Sequence, residues 1–192
     1  MDDLGALVQV LERGGVVACP TETWLGLLAD ASNERAIQRV AELKGRPADM
    51  PIALLLPDPD WIRAVSLDLP PAAEALIEAY WPGPLTIVLR ARPELDPRLV
   101  KDGKVGVRVP GPSPAAELTR AFGRPLTATS ANLSGQPPVR SVDELPPALA
   151  TGLDALVSGV SPGGAPSTLI DATETPMRIL RVGAIDIGPT AL

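Results

Sequence analysis

An α/β fold built on a mixed sheet is the architecture this sequence predicts, on three observations. Helical and strand-like patterns interleave from one end to the other. The apolar residues are aliphatic: hydrophobic residues make up 45% of the chain and aromatic ones 3%, so the core must be mainly Leu, Val, Ile and Ala. No internal repeat occurs, and no linker is long enough to separate domains, so the 192 residues are expected to form one domain spanning 1–192.

The elements follow in order. Leu4, Leu7, Val8 and Leu11 recur at helical spacing, and Gly14-Gly15 stop that helix. GVVACPT then reads as a short buried strand broken by Pro20, and PTETWLG as a turn. Asn33 caps a second helix, NERAIQRVAELKG, with an apolar stripe of Ala36, Ile37, Val40, Ala41 and Leu43. PIALLLP is a compact apolar strand. Pro70-Pro71 open a helix through Tyr80, because proline fits the first helical turn. PLTIVLR and KVGVRVP are strands, SPAAELTRAFG is a capped helix ending on Gly123, and PLTATS is the strand after it. VDELPPALA suggests a short helix, and ALVSG, STLID and MRILRVG suggest strands around the loop GVSPGGAPS.

Composition narrows the chemistry. Histidine is absent, which removes the usual imidazole base, most catalytic triads and every zinc motif that needs His. Cys19 is the only cysteine, so neither an intramolecular disulfide nor a thiolate metal cluster is available. No tightly bound cofactor is expected, and any metal would be a hard cation brought in with a phosphate ligand. A net charge of −6 argues against a broad nucleic-acid surface, although a local basic pocket fits inside an acidic shell. No apolar run approaches the ~18 residues of a membrane span, and MDDLGALVQV lacks the basic start and cleavage site of a signal peptide, so a cytoplasmic protein is expected.

Four stretches carry polar residues that fit either a ligand site or ordinary turns, caps and solvated faces. In Leu43-Lys44-Gly45-Arg46-Pro47, Lys44 fits a helix end, where a cation complements the dipole. Arg46 precedes Pro47, which forces an extended backbone. Residues two apart converge on one ligand only if the helix stops between them, and Gly45 makes it stop. Two cations at such a turn suit a polyphosphate. Beyond the first strand, Thr21 and Thr23 flank Glu22 and precede Trp24, a rim for a small polar molecule or simply a turn. In VGVRVP, alternation puts Val105, Val107 and Val109 on one face and Lys104, Gly106 and Arg108 on the other. A glycine two residues from Arg108 suggests close approach of a ligand or backbone; a solvated arginine is the plainer alternative. Finally, PLTATSANLSG places Ser130 and Asn132 at a strand end, where α/β sheets commonly bind ligands and where such side chains also cap helices or hold turns.

Together these stretches resemble the YrdC/Sua5 family, the threonylcarbamoyl-adenylate synthases, over essentially the whole chain. The resemblance rests on GGVVACPTETWLGLLAD, LKGRP with PIALLL, WPGPLTIVL, VGVRVP, PLTATSANLSG, and STLID followed by ILRVGAI, in the family's order. The family's lysine-x-arginine and serine-x-asparagine pairs are matched by Lys44/Arg46 and Ser130/Asn132. Because the chain stops soon after RVGAI, it looks like the short form without the C-terminal Sua5 domain.

The resemblance implies a twisted sheet with flanking helices around a deep, positively lined cavity. It implies L-threonine, bicarbonate and ATP as substrates, threonylcarbamoyl-AMP and pyrophosphate as products, and Mg2+ carried with ATP. The product would serve the t6A modification of tRNA, and a transient contact with tRNA or the t6A transferase proteins stays open. Lys44 and Arg46 would be catalytic. Lys44, Arg46, Ser130, Asn132 and Arg181 would surround the ATP phosphates, and Thr23, Arg108 and Ser167 would serve threonine. Met50 stands where the family often has a lysine or asparagine, and Lys104 is the neighbouring cation able to replace it, or else a solvated lysine at a strand start. Trp24, Leu55 and Val182 are milder departures. Two rival readings accompany this one: a carbamoyl-adenylate-forming relative, and an RNA-binding or ribosome-maturation module of the same fold. The first normally sits in long chains with zinc fingers. The acidic, aromatic-poor composition opposes the second.

Overall fold

The computed structural model describes residues 3–188. Asp3 opens α1 (Leu4–Glu12) by accepting the Gly5 and Ala6 amides on its carboxylate. The chain then turns through Gly14 into β1 (Val17–Pro20). The stretch expected as a turn contains more than a turn. Leu25–Leu28 form β2, antiparallel to β1, with Val17 opposite Leu28 and Pro20 opposite Leu25. Every residue of β2 is buried, so both faces are covered and no apolar–polar alternation marks the strand in the sequence.

Helix α2 (Glu34–Lys44) has the expected ends: Asn33 accepts the Arg35 and Ala36 amides, and Gly45 terminates the helix with φ 55°. After β3 (Ala53–Leu55) come a 3-10 turn at Pro59–Trp61 and a single helical turn, α3 (Ile62–Val65). Neither was expected, because elements of three or four residues are too short to show a period. Helix α4 (Pro71–Tyr80), β4 (Leu85–Arg90), β5 (Lys104–Arg108), α5 (Pro114–Phe122) and β6 (Leu126–Ser130) stand where the pattern put them. The helix expected in VDELPPALA is split into a 3-10 turn (Val142–Glu144) and α6 (Pro147–Ala150), because Pro146 and Pro147, the first residue of α6, bring no amide donors. The last strands are β7 (Ala155–Leu156), β8 (Thr168–Asp171) and β9 (Arg178–Arg181).

The strands form one sheet in the order β7-β1-β2-β6-β3-β5-β4-β8-β9. Pairs β1/β7, β3/β5 and β4/β8 are parallel and the others antiparallel, so the sheet is mixed, as expected. One face carries the larger core, where Ile87 and Leu89 of β4 and Val105 and Val107 of β5 meet Ile37 and Val40 of α2 and Leu76 of α4. Burying side chains of this size contributes about 1.5–3 kcal/mol each. On the other face α1 and α5 pack together through Leu7, Leu11, Leu118 and Phe122 over Val17, Cys19, Leu28, Leu55 and Leu126. These helices cover only part of that face. The remainder is open, and register delivers Thr86, Val88, Gly106 and Arg108 to it. A one-residue slip of β5 would drive Arg108 into the aliphatic core, which fixes the register. Among the described residues, no helix is long and apolar enough to cross a membrane.

Candidate active site: the uncovered sheet face

The open part of this face is a cavity of about 810 Å³, within the range that holds small-molecule ligands. Its lining residues come from strands and loops, none from a helix. Six basic side chains reach it: Arg46, Lys101, Lys104, Arg108, Arg178 and Arg181. Three carboxylates do so as well, at Asp49, Asp102 and Asp171, with hydroxyls at Thr21, Thr23, Thr86, Thr129, Ser130 and Ser167.

Arg46 is aimed by its own turn. Its Nε donates to the Met50 carbonyl (2.9 Å), Nη2 to the Pro51 carbonyl (2.7 Å) and Nη1 to Thr129 Oγ1 (3.3 Å). Burial lowers its pKa from the ordinary arginine value. Lys44 goes elsewhere. It is 2% exposed, does not line the cavity, and donates from Nζ to the carbonyls of Ser130 and Asn132 (2.7 Å to the latter) and to Asn132 Oδ1 (3.5 Å). In return, the Ser134 amide donates to the Lys44 carbonyl at 2.9 Å. Asn132 is likewise outside the lining: its Nδ2 donates to the Leu133 and Gln136 carbonyls, while its Oδ1 accepts from Ser130 Oγ. The convergence of Lys44 and Arg46 expected from Gly45 therefore takes a different form. Arg46 faces the cavity, and Lys44 braces the strand end that carries Ser130. Burial, helped by the nearby Arg46 charge, lowers the Lys44 pKa to about 8.

Across the cavity, Arg181 donates from Nε and Nη2 to the Ser167 carbonyl (3.1 and 2.9 Å), and Nη2 also reaches Ser167 Oγ (3.1 Å). The Ser167 hydroxyl also bonds Thr86 Oγ1 at 2.9 Å. Burial, then the neighbouring charge of Arg108, lowers the pKa of Arg181. Arg108 is 7% exposed and forms an ion pair through Nη1 with Glu22 Oε1 at 3.1 Å. Thr23 is fixed by a 3.1 Å bond between its hydroxyl and that of Thr21, which itself donates to the Trp24 carbonyl at 2.7 Å. Lys104 reaches the cavity wall, as strand alternation requires, but its ammonium is engaged by Asp171 (2.8 Å) and Glu174 (3.5 Å). The hydrogen bond it donates to Asp171 is the main cause of its raised pKa.

Of the residues singled out in the sequence, Thr23, Arg46, Lys104, Arg108, Ser130, Ser167 and Arg181 meet in this cavity, whereas Lys44 and Asn132 lie outside its lining. Met50, Trp24 and Leu55 line it too, and Val182 is exposed. Sequence reasoning missed Thr86, Lys101 and Arg178. For Thr86 a signal existed: it is the hydroxyl that alternates with Leu85 and Ile87 in PLTIVLR. Lys101 and Arg178 carry no such mark.

The Sua5/YciO/YrdC family profile, described as "Telomere recombination", matches residues 9–183. This chain belongs to that family. The threonylcarbamoyl-AMP synthase of Stenotrophomonas maltophilia is 39% identical over 172 residues, spanning 87% of this chain and 91% of that protein. The enzyme of the same name from Pyrococcus abyssi is 37% identical over 180 residues, which are 92% of this chain but 53% of the relative. The chain thus spans about half the length of the Pyrococcus relative and nearly all of the Stenotrophomonas one. A crystal structure of P. abyssi Sua5 complexed with L-threonine superposes with a TM-score of 0.90 at 34% identity, covering 95% of this chain and 54% of that one. The family's fold is the mixed α/β sheet described above.

Proposed function

We propose that the chain is a threonylcarbamoyl-AMP synthase, joining L-threonine, bicarbonate and ATP into threonylcarbamoyl-AMP with release of pyrophosphate. The observation that carries this reading is the meeting of Arg46, Arg108 and Arg181 with Thr23, Ser130 and Ser167 in one cavity. Relatives that bear this enzyme's name over most of the chain support it, as does the threonine complex of P. abyssi Sua5.

The chemistry suits a chain without histidine. Bicarbonate takes up a proton and loses water to give CO2; the threonine amine adds to that CO2, forms the carbamate C–N bond and releases a proton. A carbamate oxygen then attacks the α-phosphorus, and the bond to the bridging oxygen of pyrophosphate breaks. No protein nucleophile is consumed. The protein's task is to hold two anions together and to stabilise the charge that spreads over the phosphoryl oxygens. Arg46, rigidly aimed by three hydrogen bonds, serves the phosphates together with Arg181 and Ser130. Lys44 and Asn132 serve them by fixing the end of β6. Arg108, Thr23 and Ser167 take the amino acid. In this reading Mg2+ arrives with the nucleotide, bound to its phosphates.

In this reading the protein works in the cytoplasm, and its product feeds the t6A modification of tRNA, with tRNA or the transferase proteins as transient partners. The test is direct. Purified protein given ATP, Mg2+, bicarbonate and L-threonine is expected to release pyrophosphate and yield an adenylate with the mass of threonylcarbamoyl-AMP. An absence of product, or an adenylate whose formation ignores threonine, would overturn the reading.

A further inference from the structure

Glu22 is the one carboxylate in the described residues whose two oxygens are both buried without a hydrogen-bond partner. Its side chain is 10% exposed, and its sole close polar contact is the 3.1 Å ion pair with Arg108 Nη1. Such a pair is poor stabilising material. Removing two charges from water costs more than their attraction returns unless further hydrogen bonds complete the geometry, and none does here. A buried group left so poorly satisfied calls for another explanation.

The placement supplies one. Arg108, Thr21 and Thr23 line the cavity, whereas Glu22 does not. The Cβ and Cγ of Glu22 pack towards Gly111, where an added β-carbon would lie 3.3 Å from Glu22 Cγ. Glu22 therefore stands behind Arg108 and has access to ligands only through it. Among the described residues the Arg108 guanidinium makes no hydrogen bond with the protein; the ion pair with a single carboxylate holds one of its nitrogens while the remaining donors are uncommitted. Restraint is needed, because Arg108 and Arg181 are close enough for their charges to oppose each other. Glu22 also offsets the burial that disfavours the charged form of Arg108.

We infer that Glu22 is a positioning residue that fixes the Arg108 guanidinium in the cavity wall, so that its free N–H groups meet the carboxylate of the amino-acid substrate. The inference rests on the proposed function for the identity of that substrate, but the anchoring of Arg108 stands on the geometry alone. Glu22 would thereby set affinity for the amino acid without touching it, and without bearing on the nucleotide, which other arginines hold. The threonine-binding end of the cavity depends on a charge behind its wall.

The experiment uses the full chain and Glu22→Gln, which keeps shape and removes charge. Steady-state kinetics should show the KM for L-threonine raised at least ~10-fold, the scale of a lost charge-assisted contact, with the KM for ATP within ~2-fold. A purely structural role would move both KM values together and lower the melting temperature, and that result would overturn the inference. Nitrogen NMR of the Arg108 guanidinium, assigned with Arg108→Lys, gives a readout independent of turnover: restricted rotation in the native chain and averaged signals in Glu22→Gln. Unchanged restriction in Glu22→Gln would overturn the inference even if threonine proves not to be the substrate. Loss of activity in the native chain would instead count against the proposed function. If Glu22→Gln does not fold, Glu22→Asp is measured in the same way. Its withdrawn carboxylate is expected to loosen Arg108 and raise the threonine KM by a smaller factor, and native values in Glu22→Asp would again overturn the inference.

Discussion

The corner where α2 meets the end of β6 and the wall formed by β5, β8 and β9 are both cationic, yet they use their charge in opposite ways. At the corner, Lys44 spends its donors on protein oxygens at Ser130 and Asn132, inside the fold. In the wall, Arg108 keeps most of its donors uncommitted beside the cavity, with a lone carboxylate behind it. The guanidinium explains part of the difference. Its planar fork can hold a protein partner with one nitrogen and a ligand with another, whereas a buried ammonium already facing three oxygens has no further direction to offer. A cation near a site is therefore not evidence of ligand contact until its donors have been accounted for.

Arg46 is where the contrast should break most sharply. It belongs to the corner by position and to the wall by behaviour, because its guanidinium is aimed and still lines the cavity. Arg46→Ala is expected to lower turnover at least ~100-fold with the circular dichroism spectrum and melting temperature nearly unchanged, since oriented charge stabilisation contributes on that scale. Turnover near the native value would reduce Arg46 to a turn-stabilising residue.

Lys44→Met should give the reverse pattern. Removing the ammonium strands the buried Ser130 and Asn132 carbonyls, a loss of about 1–3 kcal/mol of stability at neutral pH by urea denaturation. Turnover should fall much less than in Arg46→Ala. A catalytic loss equal to that of Arg46→Ala, with stability unchanged, would place Lys44 among the ligand-facing cations instead.

The pH dependence sharpens the same point with a smaller signal. The folded-state pKa of Lys44, about 8, lies below the ordinary 10.5. Between those values the unfolded chain binds the proton that the folded chain has lost, so stability rises with pH across that window. The neutral amine still carries two N–H donors, enough for the two carbonyls. The stability gap between native protein and Lys44→Met is therefore expected to widen from pH 7.5 towards pH 10. A gap that narrows would show that the amine is needed in its charged form.

Lys104 should give the smallest effect. Its ammonium is engaged by Asp171 and Glu174, so it has little to offer in place of the cation absent at Met50. Lys104→Ala is expected to weaken ATP binding by less than ~3-fold, in keeping with the small contribution of partly exposed ion pairs. Calorimetry at fixed salt checks this, and a tenfold loss would restore Lys104 as the compensating cation.

Legibility followed the kind of signal each residue carries. Capped helices such as α2 and α5 are readable because a cap and a stop are local: Asn33 with Gly45, and Ser113 with Gly123. Strand β5 is readable because one face is core and the other cavity, which leaves a period of two. Strand β2 is not, because burial on both faces erases the period. At the site, Arg46 and Arg108 are visible because glycine or proline within two residues of a cation is a local anomaly. Lys101 and Arg178 look like any surface cation in a loop or strand, and only the fold brings them to the cavity.

The sequence by itself determined the α/β class, the ends of the main helices, the face of β5 that carries Lys104, Gly106 and Arg108, and a chemistry without histidine or a thiolate cluster. These depend on residue type and short spacing, which chain geometry converts directly into local structure. Only the tertiary structure decided that Lys44 turns inward while Arg46 faces the cavity, that Lys104 is held by Asp171, and that Glu22 lies behind Arg108. Each of those outcomes depends on a partner 67 or more residues away, or on an element across the sheet. A charged side chain takes its role from whichever oppositely charged or polar group the packed fold brings within about 3 Å of it.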